Sequence, residues 1–126
     1  MPDLPPIDDL ASARALFRAL RFAACETVGI AYLDPKRRIL GLRHVAGGRG
    51  QVGLSIRRIA ADALAFDAAA VVIAHNHPSG DSRLSERDLA FTRDLVRGLA
   101  ALEVDLVDHL VIAGGAVTSL RADGAL

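Results

Sequence analysis

The sequence has little of several features that mark particular classes of protein. It contains one cysteine, Cys25, so no internal disulfide can form, which is typical of a reducing compartment. Aromatic residues make up 4% of the chain and 52% is hydrophobic, so the core must be mainly aliphatic. No apolar run reaches the roughly 18 residues of a membrane helix. We therefore expect a cytoplasmic protein without a membrane partner, with Cys25 buried in its apolar run.

The chain also lacks net charge, so no overall field attracts it to nucleic acid or to a membrane. One stretch, residues 35–61, is nevertheless purely basic. It contains no acid and seven basic residues: Lys36, Arg37, Arg38, Arg43, Arg49, Arg57 and Arg58. A run of this kind is usually a solvated face, and the alternative is a surface that binds nucleic acid or an acidic partner. Both interpretations remain open.

The length of 126 residues and the order of apolar patterns predict one α/β domain, residues 1–126, with a mixed β-sheet flanked by helices. Residues 1–7 are predicted to be a disordered leader, and the glycines of residues 46–51 predict a mobile loop. The periodicities predict a helix from about 10 to 22, strands over 26–34 and 38–45, a helix over 55–66, a buried strand over 69–74, a helix over 86–101 and a closing hairpin of strands 104–113 and 116–121.

Polar side chains that could bind a metal follow the buried strand. His75 and His77 are two residues apart, so an extended backbone would point both imidazoles to one side, and Pro78 favours that conformation. Asp88 falls in the first turn of the next helix. Two histidines and a carboxylate with an open position suit catalytic zinc, and Fe(II) is not excluded by the spacing. An alternative role for Ser85 and Asp88 is a helix cap, which is compatible with metal binding.

The complete spacing, H-x-H-x(7)-S-x(2)-D from His75 to Asp88, resembles the motif of the JAMM (MPN/JAB) metalloproteases. The surrounding residues are similar to the RadC-like branch of that family. They include the run from His75 to Asp81, Thr92 and the pair Asp108–His109. The resemblance extends from about Glu26 to the C-terminus. It implies a cytidine-deaminase-like JAB/MPN architecture.

The resemblance also implies roles for individual residues. His75, His77 and Asp88 would hold one zinc ion, Glu26 would be the general base, and Ser85 would stabilise an oxyanion. The implied reaction is hydrolysis of a peptide or isopeptide bond in a peptide or protein substrate. The competing hypothesis is a DNA-repair-associated module that binds nucleic acid or a partner and has a non-catalytic metal site. His109 is interpreted as a core histidine with a satisfied hydrogen bond, against the alternative of a role beside the metal or the substrate.

Overall fold

Helices and strands follow one another in the predicted order. The computed structural model describes residues 6–46, 55–81 and 83–126. Its elements are α1 (Leu10–Phe17), a 3-10 helix (Arg18–Phe22), β1 (Thr27–Leu33), β2 (Ile39–Ala46), α2 (Ile56–Ala65), β3 (Ala70–Asn76), α3 (Glu86–Ala100), β4 (Asp105–Ala113) and β5 (Ala116–Ser119). The predicted mobile loop and Arg49 fall largely or wholly in residues 47–54, outside the described residues.

The five strands form one mixed sheet in the order β2-β1-β3-β4-β5. Strands β3 and β4 are parallel, whereas the other neighbouring pairs are antiparallel. The predicted fold class and both predicted hairpins are therefore confirmed. Every residue of β3 is buried, as its continuous apolar run predicts for a central strand.

Two apolar layers cover the two faces of the sheet. Side chains such as Ile30 and Ile73 pack with α2 and α3 on one face. Their neighbours along the strands, such as Ala31 and Val72, pack with α1 on the other face. Burying a side chain of the size of Ile30 or Val72 stabilises the fold by about 1.5–3 kcal/mol. The two layers therefore hold the helices against the sheet.

The N-terminal segment differs from its prediction in three places. The predicted single helix ends at Phe17, where the backbone leaves the α region (φ −101°, ψ 10°), and continues as a 3-10 helix. Ile7, the last residue of the predicted leader, is buried, and its N–H donates to the Arg37 carbonyl. Cys25 is exposed, so the prediction of a buried thiol is wrong. Cys25 belongs to the short segment between the 3-10 helix and β1, and this segment contacts the C-terminal end of β3.

Chain directions decide which residues meet at that end. Because β1 is antiparallel to β3, the residue before β1 lies beside the C-terminal end of β3, and Val28 pairs with His75. Strand β4 is parallel to β3, so its C-terminal end lies at the same end of the sheet. Helix α3 begins shortly after β3 ends and packs on β4. None of the helices in the described ranges is long and apolar enough to cross a membrane. The cytoplasmic location stays a prediction.

Candidate metal centre

The structure brings together the four residues predicted to bind or act beside a metal. Glu26, His75, His77 and Asp88 each offer one ligand atom, and these atoms all lie within 4.8 Å of one another. Glu26 precedes β1, His75 belongs to β3, His77 follows it, and Asp88 lies in the first turn of α3. His75 is buried, while the other three side chains are partly accessible from solvent.

The distances within the cluster suit a single small cation. The Nε2 atoms of His75 and His77 are 2.9 Å apart. Asp88 places Oδ1 4.0 Å from Nε2 of His75 and Oδ2 3.7 Å from Nε2 of His77. Tetrahedral zinc with bonds of about 2.0–2.1 Å requires its ligand atoms to be about 3.3 Å apart, and the three distances bracket this value. The donor set therefore fits one zinc ion.

A chain of hydrogen bonds assigns the tautomer of His75. The Thr92 hydroxyl donates its hydrogen to the main-chain carbonyl of Asp88 at 2.9 Å. Thr92 Oγ1 can therefore only accept from His109, whose Nδ1 lies 2.7 Å away and must carry the hydrogen. Nε2 of His109 then carries no proton and accepts from Nδ1–H of His75 at 2.7 Å. It follows that Nε2 of His75 has a free lone pair directed at the cluster.

The tautomer of His77 is assigned independently. Its Nδ1–H donates to the Asp81 carbonyl at 2.8 Å, because a carbonyl can only accept. Its Nε2 therefore also has a free lone pair. Two unprotonated nitrogens 2.9 Å apart repel each other unless a cation lies between their lone pairs. This arrangement is what a metal site requires of its histidines.

The electrostatic environment favours neutral His75 and His109 next to two carboxylates. Burial, together with a smaller effect of the nearby His77, lowers the pKa of His75 to about 4 against the opposing charge of Asp88. Burial likewise lowers the pKa of His109 to about 3. The pKa of Glu26 is raised by burial and by the charge of Asp88. Although burial acts in the opposite direction, hydrogen bonds from Ser85 and the nearby histidines hold the pKa of Asp88 below its usual value.

Ser85 and Asp88 form the helix cap that the sequence allowed. The Asp88 N–H donates to Ser85 Oγ at 3.0 Å, and the Ser85 N–H donates to Asp88 Oδ2 at 3.1 Å. The cap uses Oδ2 of Asp88 and leaves its Oδ1 free of cap bonds. One turn of α3 therefore orients a carboxylate toward the histidines and keeps a hydroxyl donor on the exposed side.

Asn76 is a buried residue of this region that the sequence analysis did not single out. Its Oδ1 accepts from the Thr27 N–H at 2.6 Å, and its amide donates to the carbonyls of Ala23 and Cys25. These three bonds fix the segment that carries Glu26 against the end of β3. A polar residue between two histidines could have indicated this role in the sequence, because strand alternation points its side chain to the face opposite the histidines.

His109 is buried and hydrogen-bonded as predicted, and its two partners are Thr92 and the candidate metal ligand His75. The adjacent Asp108 points away from the cluster. Its carboxylate accepts from Ser119 Oγ at 2.5 Å and from the Arg121 N–H at 3.1 Å, so it holds the β4–β5 hairpin. The two residues of this pair thus have separate roles.

Three of the seven basic side chains in the basic stretch form ion pairs, with two carboxylates between them. Arg43 and Arg58 both form ion pairs with Asp62, at 2.6 and 3.4 Å, and Arg38 pairs with Asp34 at 2.7 Å. The interpretation of the stretch as a nucleic-acid surface stays a prediction.

With helices on both faces of a mixed sheet and these side chains at its end, the protein has the architecture of JAB/MPN domains. More narrowly, it belongs to the RadC-like JAB domain family, whose profile matches residues 7–125.

Several UPF0758 proteins are similar to this chain. The protein of Bordetella bronchiseptica is 40% identical over 96 residues, which are 75% of this chain and 43% of that protein. The protein of Alcanivorax borkumensis is 37% identical over 123 residues, 96% of this chain and 55% of its own length. The protein of Acaryochloris marina is 37% identical, covering 99% of this chain and 52% of its own length. The chain thus spans about half the length of these relatives.

Proposed function

We propose that the protein is a zinc-dependent hydrolase of peptide or isopeptide bonds. The observation that carries this proposal is the convergence of two unprotonated Nε2 atoms and the Asp88 carboxylate on one point. His75, His77 and Asp88 would hold the ion. The membership of the chain in a JAB family, which includes metalloproteases, supports the reaction class.

When bound, zinc would supply Lewis-acid chemistry, polarising a substrate carbonyl and making a water molecule acidic. Glu26 would accept the proton of that water and later give it to the leaving amine. Its raised pKa, caused by burial and by Asp88, suits a group that both takes and returns a proton. The hydroxyl of Ser85 would donate to the oxyanion that forms on the attacked carbonyl.

Metal analysis followed by a hydrolysis screen tests the proposal. We expect about one zinc ion per chain in protein purified without chelator. Cleavage of peptide or isopeptide-linked substrates should stop on chelation and return with zinc. Iron found in place of zinc would replace zinc as the proposed cofactor. A fully zinc-loaded protein that cleaves none of these substrates would favour the competing module with a non-catalytic metal, and failure to bind any divalent metal would contradict the proposal.

The bond between His109 and His75 gives a second test. Thr92→Val removes the hydroxyl that orients His109 but keeps the shape of the side chain. We expect it, like His109→Ala, to weaken zinc binding about 10- to 100-fold, the usual effect of losing a group that orients a histidine ligand. The measurement is competition with a chromophoric chelator. Thr92→Ser retains the hydroxyl and should bind zinc nearly as tightly as the unmodified protein. Equal zinc affinities of the Thr92→Val and Thr92→Ser variants would show that the Thr92 hydroxyl does not orient His109 for metal binding.

A further inference from the structure

A pocket separate from the metal cluster lies between the N-terminal helices and the turn that connects β4 to β5. Its volume is about 360 Å³, within the range of small-molecule sites. One wall is formed by α1 and the 3-10 helix, and the other by the ends of β4 and β5 with their glycine turn. The pocket is therefore built from segments about 100 residues apart in the chain.

Three arginines line the helical wall: Arg14, Arg18 and Arg21. Their spacings of four and three residues place them on one face of consecutive turns. Within residues 6–46, 55–81 and 83–126, no acidic residue lines the pocket. Among the residues that the structure describes, none forms an ion pair with these three arginines, in contrast to Arg38, Arg43 and Arg58. All three arginines line the pocket, and the guanidinium carbon of Arg21 also lies 4.5 Å from the centre of the Phe22 ring, so this wall carries the positive charge of the pocket.

The opposite wall offers bare backbone. Gly114 and Gly115 form the turn, and a Cβ atom added at either position would meet nothing within 4 Å. Gly114 has φ +59°, a conformation that suits glycine in a tight turn. At these two positions a ligand held by the arginines would meet main-chain atoms rather than a side chain.

The position of the pocket relates it to the metal cluster. Ile112 lines the pocket, and its carbonyl accepts the N–H of His77 at 2.8 Å. The two sites are therefore at the same end of the sheet. The arginines are not among the four candidate metal ligands, so binding at the pocket can be tested separately from binding of a metal.

We propose that this arginine pocket binds a phosphate group of a ligand. Guanidinium groups form paired, charge-assisted hydrogen bonds with phosphate oxygens, and three of them around one space favour a dianion over a single carboxylate. A free nucleotide and the phosphorylated end of a nucleic-acid strand both carry this chemistry.

The test is a titration of the full chain, labelled with ¹⁵N, with inorganic pyrophosphate at low ionic strength. We expect the amide signals of Gly114 and Gly115 and the side-chain signals of the arginines to shift. The variant R14Q/R18Q should bind pyrophosphate at least about tenfold more weakly, because two charge-assisted contacts are lost. The control R93Q/R97Q removes the same charge from the exposed face of α3 and should bind normally. Far-ultraviolet circular dichroism would verify that both variants are folded.

Further titrations separate the sources of the phosphate. Tighter binding of adenosine diphosphate than of a 5′-phosphorylated oligonucleotide would assign the pocket to free nucleotides, and the reverse would assign it to nucleic-acid ends. Three results would overturn the proposal: no shift of the pocket signals, equal weakening by the control variant, or equally tight binding of a glutamate-rich peptide. Each is independent of hydrolysis, so the outcome does not depend on the proposed enzymatic function.

Discussion

Asp88→Asn should abolish tight zinc binding, lowering the affinity by at least about a thousandfold. The change removes the negative charge that lies 4.0 Å and 3.7 Å from the two histidine Nε2 atoms. An asparagine keeps the size of the side chain and is itself a good partner in a helix cap, so α3 should still begin at the same place. The measurement is chelator competition, with His75→Ala expected to have the same effect because it removes a ligand nitrogen.

Ser85→Ala provides the matched control for this experiment. It removes the Oγ atom that caps α3, so the free energy of unfolding should fall by about 1 kcal/mol. Its zinc affinity should stay within a few-fold of the original, because Ser85 is not a ligand in the proposed site. The two variants thus separate the capping role of this turn from its role at the metal. Zinc binding by Asp88→Asn at the original affinity would exclude Asp88 from the site.

Glu26→Gln should retain zinc and lose hydrolysis by about 100- to 10,000-fold. The amide has the shape of the carboxylate but cannot accept the proton of water, and general-base contributions have this magnitude. Two measurements on one preparation are needed: metal content, and the rate of cleavage of a substrate found in the screen. Glu86→Gln removes the same charge from an exposed position in the first turn of α3 and serves as the control.

The outcome of this experiment distinguishes two roles for Glu26. Its ligand atom lies within 4.8 Å of the other three, so it is close enough to act on a bound water or to bind the ion itself. Loss of zinc together with activity would identify it as a fourth ligand. Unchanged cleavage by a zinc-loaded Glu26→Gln protein would exclude it from the mechanism.

Local patterns were sufficient for most of the fold. The buried run before His75 predicts a central strand, and β3 is buried at every position. The end of the first helix was predicted wrongly, because its apolar periodicity continues past Phe17 while the backbone tightens to a 3-10 helix. Periodicity records which face is buried, and it does not distinguish α from 3-10 turns over a few residues.

The sequence by itself determined the order of the elements and the candidates His75, His77 and Asp88, because strand alternation and helix turns act over a few residues, while Glu26 was indicated by the family resemblance. Only the tertiary structure decided the partners of those residues. His109 reaches His75 across 34 positions, and Asn76 holds Thr27 across 49. Such contacts depend on the register of neighbouring strands. In β4 that register shifts by one residue opposite Val71 and Val72, so Asp108 pairs with Val72 and His109 with Ile73. A shift of one residue exchanges the two faces of a strand, and it is set by packing across the whole sheet rather than by nearby residues.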